Sequence, residues 1–188
     1  RFNVAGTPDG GFGTGGFTVS DLSVAWNEIN AIAIQPTGEI VAAGFRTIGS
    51  DRQAIIGRYT SAGSPDNTFD TDGLATLGLP GFFDYADAVA VQGDGKIVMA
   101  GTGAESGNRN VYLARVDSGG TLDNGFSGDG RLTFPIGTGT DVARGLALDA
   151  DGRAVITGTT TTSDDEDFFV ARIDDADGEL DTAFGSGD

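Results

Sequence analysis

Residues 31–44 read AIAIQPTGEIVAAG, and the pattern returns as AVAVQGDGKIVMAG at residues 88–101 and as GLALDADGRAVITG at residues 145–158. In each copy, alternating apolar residues lead to a glycine-containing turn, and a second apolar run then ends at another glycine. This is the pattern of a β-hairpin. The closing glycines Gly44, Gly101 and Gly158 lie 57 residues apart. The spacing identifies a tandem repeat built around a hairpin.

The repeats can be delimited by residues outside the hairpin that keep the same spacing. Residues 1–16 align with residues 58–73 and 115–130, so they correspond to the tail of a preceding repeat. Three units follow, at residues 17–73, 74–130 and 131–188. An array of this kind is stable only when neighbouring units pack on one another.

Each unit contains four strand candidates. The first is short, and the middle two form the hairpin. The first candidates are FTVS from Phe17, LATL from Leu74 and RLTF from Arg131, and the fourth are QAIIGRY from Gln53, NVYLARV from Asn110 and DFFVARI from Asp167. Four strands in about 57 residues is the size of a β-propeller blade.

The side-chain alternation in the hairpin predicts how the sheets pack. Ile32 and Ile34 alternate with Ala31 and Ala33, so both faces of the strand are apolar, one bulky and one small. A sheet with one face in water would alternate apolar and polar residues instead. We therefore expect sheets stacked face to face, with the small face of one against the large face of the next.

Three motifs recur in register and resemble the bacterial delta-60 repeat. They are a hairpin of the form D/T-G-K/E/R-I/A-V-x-x-G, a fourth strand ending in A/G-R-Y/V/I, and a turn G-x-L/P-D-x-x-F-x-x-x-G. The sequence departs from the family at Pro8 and Pro65, where leucine is usual, and at Ala154, where isoleucine is expected. The resemblance implies β-propeller-like blades in a large secreted or surface-attached bacterial protein, and it implies no catalytic residues.

The number of units leaves the closure of the fold open. Closed propellers have about four to eight blades, and this sequence holds three units and a leading tail. The chain is then part of a longer array, or two chains complete a ring of about six blades. A β-trefoil is the third alternative, because it also consists of three four-stranded repeats.

Composition excludes several classes of function. The chain has 28 acidic and 11 basic residues and a net charge of −17, which argues against nucleic acid and anionic membranes as partners. It has no histidine and no cysteine, which removes the usual general base, ordinary zinc and copper sites, and disulfides. No apolar run approaches the roughly 18 residues of a membrane span, and no signal peptide opens the sequence. Because it begins at Arg1 without methionine, we expect a mature or excised piece.

Two periodic sets are candidates for structural roles. The arginines Arg58, Arg115 and Arg172 precede Asp66, Asp123 and Asp181 by eight or nine residues, and phenylalanines follow at Phe69, Phe126 and Phe184. We expect each arginine to pair with its aspartate and each phenylalanine to fill the core between blades. The functional alternatives are a ring of anion-binding arginines and an aromatic platform for sugars.

Ligand sites are predicted from acidic turns and from loop aromatics. Calcium is the candidate cofactor, at the D-x-D-G turn of Asp149 and Asp151 and at an acidic run that includes Asp164, Asp165 and Asp167. The alternative is that these aspartates cap their own turns. Trp26 and Tyr85 fall in the variable loops after the first strand and are the candidates for a binding surface.

These patterns predict a non-enzymatic repeat module. We expect an extracellular or bacterial cell-surface scaffold, structural or adhesive, that self-associates and binds a glycan or protein through its variable loops. A lectin-like carbohydrate-binding propeller is one alternative. A glycoside hydrolase or lyase is another, and it requires two facing carboxylates.

Overall fold

The computed structural model describes residues 1–22, 26–78, 83–105, 108–162, 165–174 and 176–185. Among them there is no helix long and apolar enough to cross a membrane. The regular structure consists of β-strands, in chain order β1 (Asn27–Ile34), β2 (Ile40–Ile48), β3 (Asp51–Tyr59), β4 (Leu74–Thr76), β5 (Tyr85–Val91), β6 (Ile97–Glu105), β7 (Asn108–Val116), β8 (Arg131–Phe134), β9 (Asp141–Leu148), β10 (Ala154–Thr162) and β11 (Asp165–Arg172).

The strands form three antiparallel sheets in chain order. The first contains β1 to β4, the second β5 to β8, and the third β9 to β11. Each predicted hairpin is present as β1–β2, β5–β6 or β9–β10, and the predicted fourth strands are β3, β7 and β11. The expectation of all-β, propeller-type blades is confirmed, and the sheets do not close into a ring. Three separate stacked sheets are not the arrangement of a β-trefoil.

The sheets stack as the alternation in the hairpin predicts. One core lies between the first and second sheets, where Ala31 and Ala33 of β1 pack with Val89 and Val91 of β5. A second core lies between the second and third sheets and includes Leu146 of β9. The small face of one sheet therefore receives the large face of the next, and the middle sheet has both faces covered.

The sheets and the sequence repeats are out of phase. Leu74 opens the second repeat by sequence, yet β4 pairs with β3 of the first, with Leu74 opposite Gly57. In the same way β8 pairs with β7. Each four-stranded sheet thus takes its outer strand from the following repeat.

This offset explains why one predicted strand is absent. Residues 17–20 (FTVS) are predicted as the first strand of repeat 17–73, but there they form only an isolated bridge between Phe17 and Thr14. Their counterparts β4 and β8 pair with the last strand of the sheet before. Residues 1–16 form turns and isolated bridges and supply no such strand, so the prediction is wrong at this position.

Candidate ligand-binding cleft

A glycine in the second strand of each hairpin makes room for a β-bulge in the first. A Cβ atom on Gly101 would overlap the carbonyl oxygen of Tyr85, and Gly44 and Gly158 are approached equally closely by the partner backbone. Opposite Gly101 the register skips one residue, because Ala86 pairs with Gly101 and Ala88 pairs with Ala100. Asp87 is the extra residue. The glycine that closes each sequence repeat is therefore required by space, since no other residue allows this close approach.

The bulge places a polar residue at the same point of β1, β5 and β9. The extra residues are Asn30, Asp87 and Arg144. Asn30 Nδ2 donates hydrogen bonds to the Ala86 carbonyl oxygen at 3.0 Å and to Asp87 Oδ1 at 3.2 Å. Arg144 Nη1 lies 3.9 Å from Asp87 Oδ2. A bulge redirects the side chain of its extra residue. Because the bulge recurs at the same point of three stacked strands, the three different polar side chains lie in one row.

Asp87 lies at the centre of this row in a partly buried position. Burial raises the pKa of its carboxyl group above the ordinary value, and the nearby Glu28 acts in the same direction. Arg144 and the hydrogen bond from Asn30 oppose the shift. Relative to the protonated form, the carboxylate of Asp87 is therefore less stable here than in water, although Arg144 and Asn30 lie beside it.

Three aromatic rings surround Arg52 at the same end of the sheets. Its guanidinium carbon lies 4.8 Å from the ring centroid of Trp26, 4.9 Å from Phe45 and 5.1 Å from Tyr85. Its Nη1 atom donates a hydrogen bond of 2.6 Å to the Tyr85 hydroxyl. Phe45 packs edge-on against Tyr85, with ring centroids 5.1 Å apart. These contacts fix the arginine, while Trp26 remains 56% exposed.

A cleft of about 340 Å³ adjoins both features and draws on all three sheets. Its lining residues are Arg52, Tyr85, Asp87, Thr102, Arg109, Val142 and Arg144. Among the described residues that line this cleft, three are arginines and one, Asp87, is acidic. Thr102 is only 4% exposed, and its Oγ1 has no hydrogen-bond partner among the described residues. We call this feature the cleft.

One family model matches the chain three times, at residues 35–69, 92–126 and 150–184, and together the matches cover more than half of the chain. Its description is a beta-propeller domain of unknown function, DUF5122. The chain belongs to this family. The curated proteins include no match to it.

The DUF5122 matches contain the periodic arginines, aspartates and phenylalanines, which lie at the opposite end of the sheets from the cleft. Arg58 Nε donates to Asp66 Oδ2 at 2.7 Å. The corresponding distances are 2.8 Å from Arg115 to Asp123 and 2.9 Å from Arg172 to Asp181. We call each set of arginine, aspartate and following phenylalanine a junction.

The first junction also connects its repeat to the next. The guanidinium of Arg58 lies 4.8 Å from the Phe69 ring, and its Nη1 donates to the carbonyl oxygen of Ser118 in the following repeat. Phe69 and Phe126 are fully buried, whereas Phe184 is 37% exposed. The phenylalanines of the first two junctions therefore fill the core, and the third is only partly covered.

Hydrogen bonds at the junctions favour the ionised carboxylates. The hydroxyl and amide of Thr68, followed by Arg58, lower the pKa of Asp66 below its ordinary value. The side chain of Arg172 and the amide of Ala183 lower the pKa of Asp181 in the same way. The junction carboxylates thus shift in the opposite direction from Asp87.

Three of the acidic residues predicted to bind calcium, Asp149, Asp151 and Asp167, have polar partners in this DUF5122 domain. Asp149 Oδ2 accepts a 2.8 Å hydrogen bond from Arg153 Nε, and Asp151 Oδ2 accepts one of 2.8 Å from Arg153 Nη2. Asp167 accepts from the Thr162 hydroxyl at 3.1 Å. In the described part of the chain, no three acidic side chains converge as metal ligands would. A calcium ion at Asp149 and Asp151 would have to displace Arg153, and calcium binding there stays a prediction.

Two further predicted residues need comment. Asp164 lies outside the described residues, while Asp165 occupies the first position of β11 and is exposed. Trp26 precedes β1 as predicted for a loop residue, but Tyr85 is the first residue of β5 and not part of a loop. The strand extends to Tyr85 because the bulge at Asp87 lets pairing continue to Thr102.

The sequence points to Trp26 and Tyr85 separately, and it does not point to the residues that connect them. Arg52, Asp87, Arg109 and Arg144 were not predicted as site residues. One signal was available at the bulge, because Asn30, Asp87 and Arg144 stand at equivalent positions directly before the alternating apolar runs. A polar residue that changes its chemistry at a fixed position in a repeat marks a place where the fold tolerates variation.

Proposed function

We propose that this DUF5122 domain is a non-enzymatic structural or adhesive module of an extracellular or bacterial cell-surface protein. It stacks on further copies of its own repeat and binds other partners through the end of the sheets that carries the cleft. The observation that supports stacking is the exposure of apolar residues on the two outer sheets. The resemblance to delta-60 repeats supports the surface location.

The outer face of the first sheet resembles a face that is covered elsewhere in the same chain. Ile32 and Ile34 of β1 are 66% and 67% exposed. Their equivalents in the second sheet, Val89 and Val91, pack against the first sheet. Because the equivalent face of the second sheet is covered by a neighbouring repeat, the exposed face of the first sheet is suited to pack against another sheet of the same kind.

The third sheet presents the complementary surface. Phe168 and Val170 are 85% and 49% exposed, whereas their equivalents in the second sheet, Val111 and Leu113, are fully buried. The edge of β11 that corresponds to the pairing edges of β3 and β7 has no partner strand within the described residues. Exposed apolar faces and unpaired edges favour association. The partner we propose is therefore a second copy of the repeat, contributed by another chain or by the same one.

Native mass spectrometry tests the stacking with a double variant, Ile32→Ser and Ile34→Ser. The wild-type chain should form a dimer or a larger assembly, and the variant should be monomeric because it lacks the apolar face. Phe168→Ser, on the opposite outer face, should have the same effect. Val4→Ser is the matched control, since Val4 is fully exposed outside the three sheets and its replacement should leave the assembly intact. A monomeric wild-type chain of residues 1–188 would contradict the proposal, because its exposed faces would then have no affinity for another copy of the repeat, whichever chain supplies that copy.

Carbohydrate binding is a second candidate function, favoured by the exposed Trp26 ring held beside Arg52. Aromatic rings stack on the apolar faces of sugars, and arginine contributes directional hydrogen bonds. Glycoside hydrolysis requires two facing carboxylates, and the described lining of the cleft includes one, from Asp87. This difference supports a binding role over a hydrolytic one.

A further inference from the structure

We propose that the cleft binds a small sugar that carries a carboxylate, with the carboxylate held by Arg109 and Arg144 and the hydroxyl groups held by Tyr85 and Asp87. The proposal rests on the role of this domain as a binding module, but not on its stacking. Its basis is the combination of arginines, hydroxyl groups and volume in one place.

The arginines supply the charge recognition. Neither Arg109 nor Arg144 donates a hydrogen bond to a protein group within the described residues, and both are exposed at the cleft. Among these residues, the ion pair that Arg144 makes is the long 3.9 Å contact to Asp87. By contrast, the junction arginines are committed to aspartates at 2.7 to 2.9 Å. A guanidinium group without a close partner can bind a planar carboxylate through two hydrogen bonds.

The rest of the lining suits a ligand rich in hydroxyl groups. The Tyr85 hydroxyl accepts from Arg52 and so retains its own proton for donation. Asp87 provides acceptor oxygens beside Arg144. At about 340 Å³, the cleft lies at the small end of the range for small-molecule sites.

The charge of the protein favours a carboxylate over a phosphate. The chain carries a net charge of −17, and Asp87 lies inside the cleft. A phosphate monoester carries between about one and a half and two negative charges at neutral pH, whereas a carboxylate carries one. Two arginines beside an aspartate therefore match the smaller charge better.

Binding can be followed with galacturonate, using galactose and inorganic phosphate as comparison ligands. Ligand-observed NMR reports binding, and so does fluorescence, because Trp26 is the single tryptophan and contacts Arg52 at the cleft. We expect saturable binding of galacturonate that is at least about tenfold tighter than that of galactose, since charge-assisted hydrogen bonds are lost with the neutral sugar. Equal binding of the two sugars, absence of binding, or tighter binding of phosphate would overturn the proposal.

Variants assign the effect to the cleft. Arg109→Gln and Arg144→Gln should each weaken galacturonate binding about tenfold. Arg153→Gln is the matched control, because it removes the same charge from the opposite end of the sheets and should leave the affinity unchanged. Equal weakening by all three variants would show only a general charge effect and would refute the site. Native mass spectra of the same samples report the oligomeric state independently. They therefore show whether the chain still stacks when it does not bind galacturonate.

Discussion

The junctions and the bulges both recur once per repeat, but they differ in what they keep constant. At the junction the residues are the same in each repeat, with arginine, aspartate and phenylalanine in the same contacts. At the bulge the backbone geometry is the same but the side chain changes from Asn30 to Asp87 to Arg144. One end of each sheet therefore holds the array together, while the other end presents variable chemistry on a fixed backbone.

The largest effect should come from removing a junction phenylalanine at a covered interface. Phe126→Ala should lower the free energy of unfolding by about 4 kcal/mol, because it leaves a cavity in the core between the second and third sheets. Phe184→Ala removes the equivalent ring from a site that is 37% exposed, so it should cost much less. Chemical denaturation of the two variants measures the difference. If both variants lost the same free energy of unfolding, the burial of the phenylalanine would not determine its contribution to stability.

The next effect concerns the buried ion pair of the middle junction. Arg115→Ala should destabilise the domain by about 2 kcal/mol, because it removes the 2.8 Å partner of Asp123 and leaves Lys96, at 3.2 Å, as the remaining cation. Arg1→Ala is the control, since Arg1 makes the same type of pair with Asp9 at an exposed position. Exposed ion pairs contribute little, and this variant should unfold almost as the wild type does. A similar loss in both variants would contradict the role of burial.

The smallest change in the free energy of unfolding should come from replacing Asp87 at the bulge. Unlike the two changes above, it should stabilise the domain. Asp87→Asn keeps an acceptor for Asn30 but removes a carboxylate whose pKa burial has raised. The folded wild type binds its proton more tightly than the unfolded chain does, so it loses stability as the pH rises through the raised pKa. The variant should therefore be slightly more stable than the wild type at neutral pH, by less than about 1 kcal/mol because solvent screens the group.

The pH dependence gives the control for this variant. Well below the ordinary carboxyl pKa, Asp87 is protonated in both the folded and the unfolded wild-type chain, and the two proteins should become equally stable. The junction carboxylates act in the opposite sense, because the lowered pKa values of Asp66 and Asp181 mean that both proteins lose stability as the pH falls through that range. An advantage of Asp87→Asn that persists in acid would exclude ionisation as its cause.

The sequence alone predicts the features that depend on neighbouring residues in the chain. The hairpins, the stacking of large on small faces and the residues of the junctions follow from alternation and from a fixed spacing. Phe17–Ser20 was predicted wrongly because a strand needs a partner, and local sequence does not say whether the partner is present.

The cleft is harder to predict because its residues converge only through sheet stacking. Arg52 belongs to the first sheet, Arg109 to the second and Arg144 to the third. The bulge position leaves a trace in the sequence as a polar residue before an apolar run. The apolar run does not indicate that Asn30 and Arg144 both lie next to Asp87, because these contacts depend on how the strands of different sheets are aligned when they stack.

The offset between sheets and sequence repeats has a consequence for biosynthesis. When the ribosome has released residues 17–73, the first sheet still lacks β4, which arrives only with Leu74–Thr76. In the same way, the second sheet is incomplete until β8 has been synthesised. A growing chain of this kind therefore always carries one unfinished sheet, and each unit is completed by its successor. Order of synthesis thereby becomes order of assembly, because a nascent sheet finds the strand that completes it in the next segment to emerge.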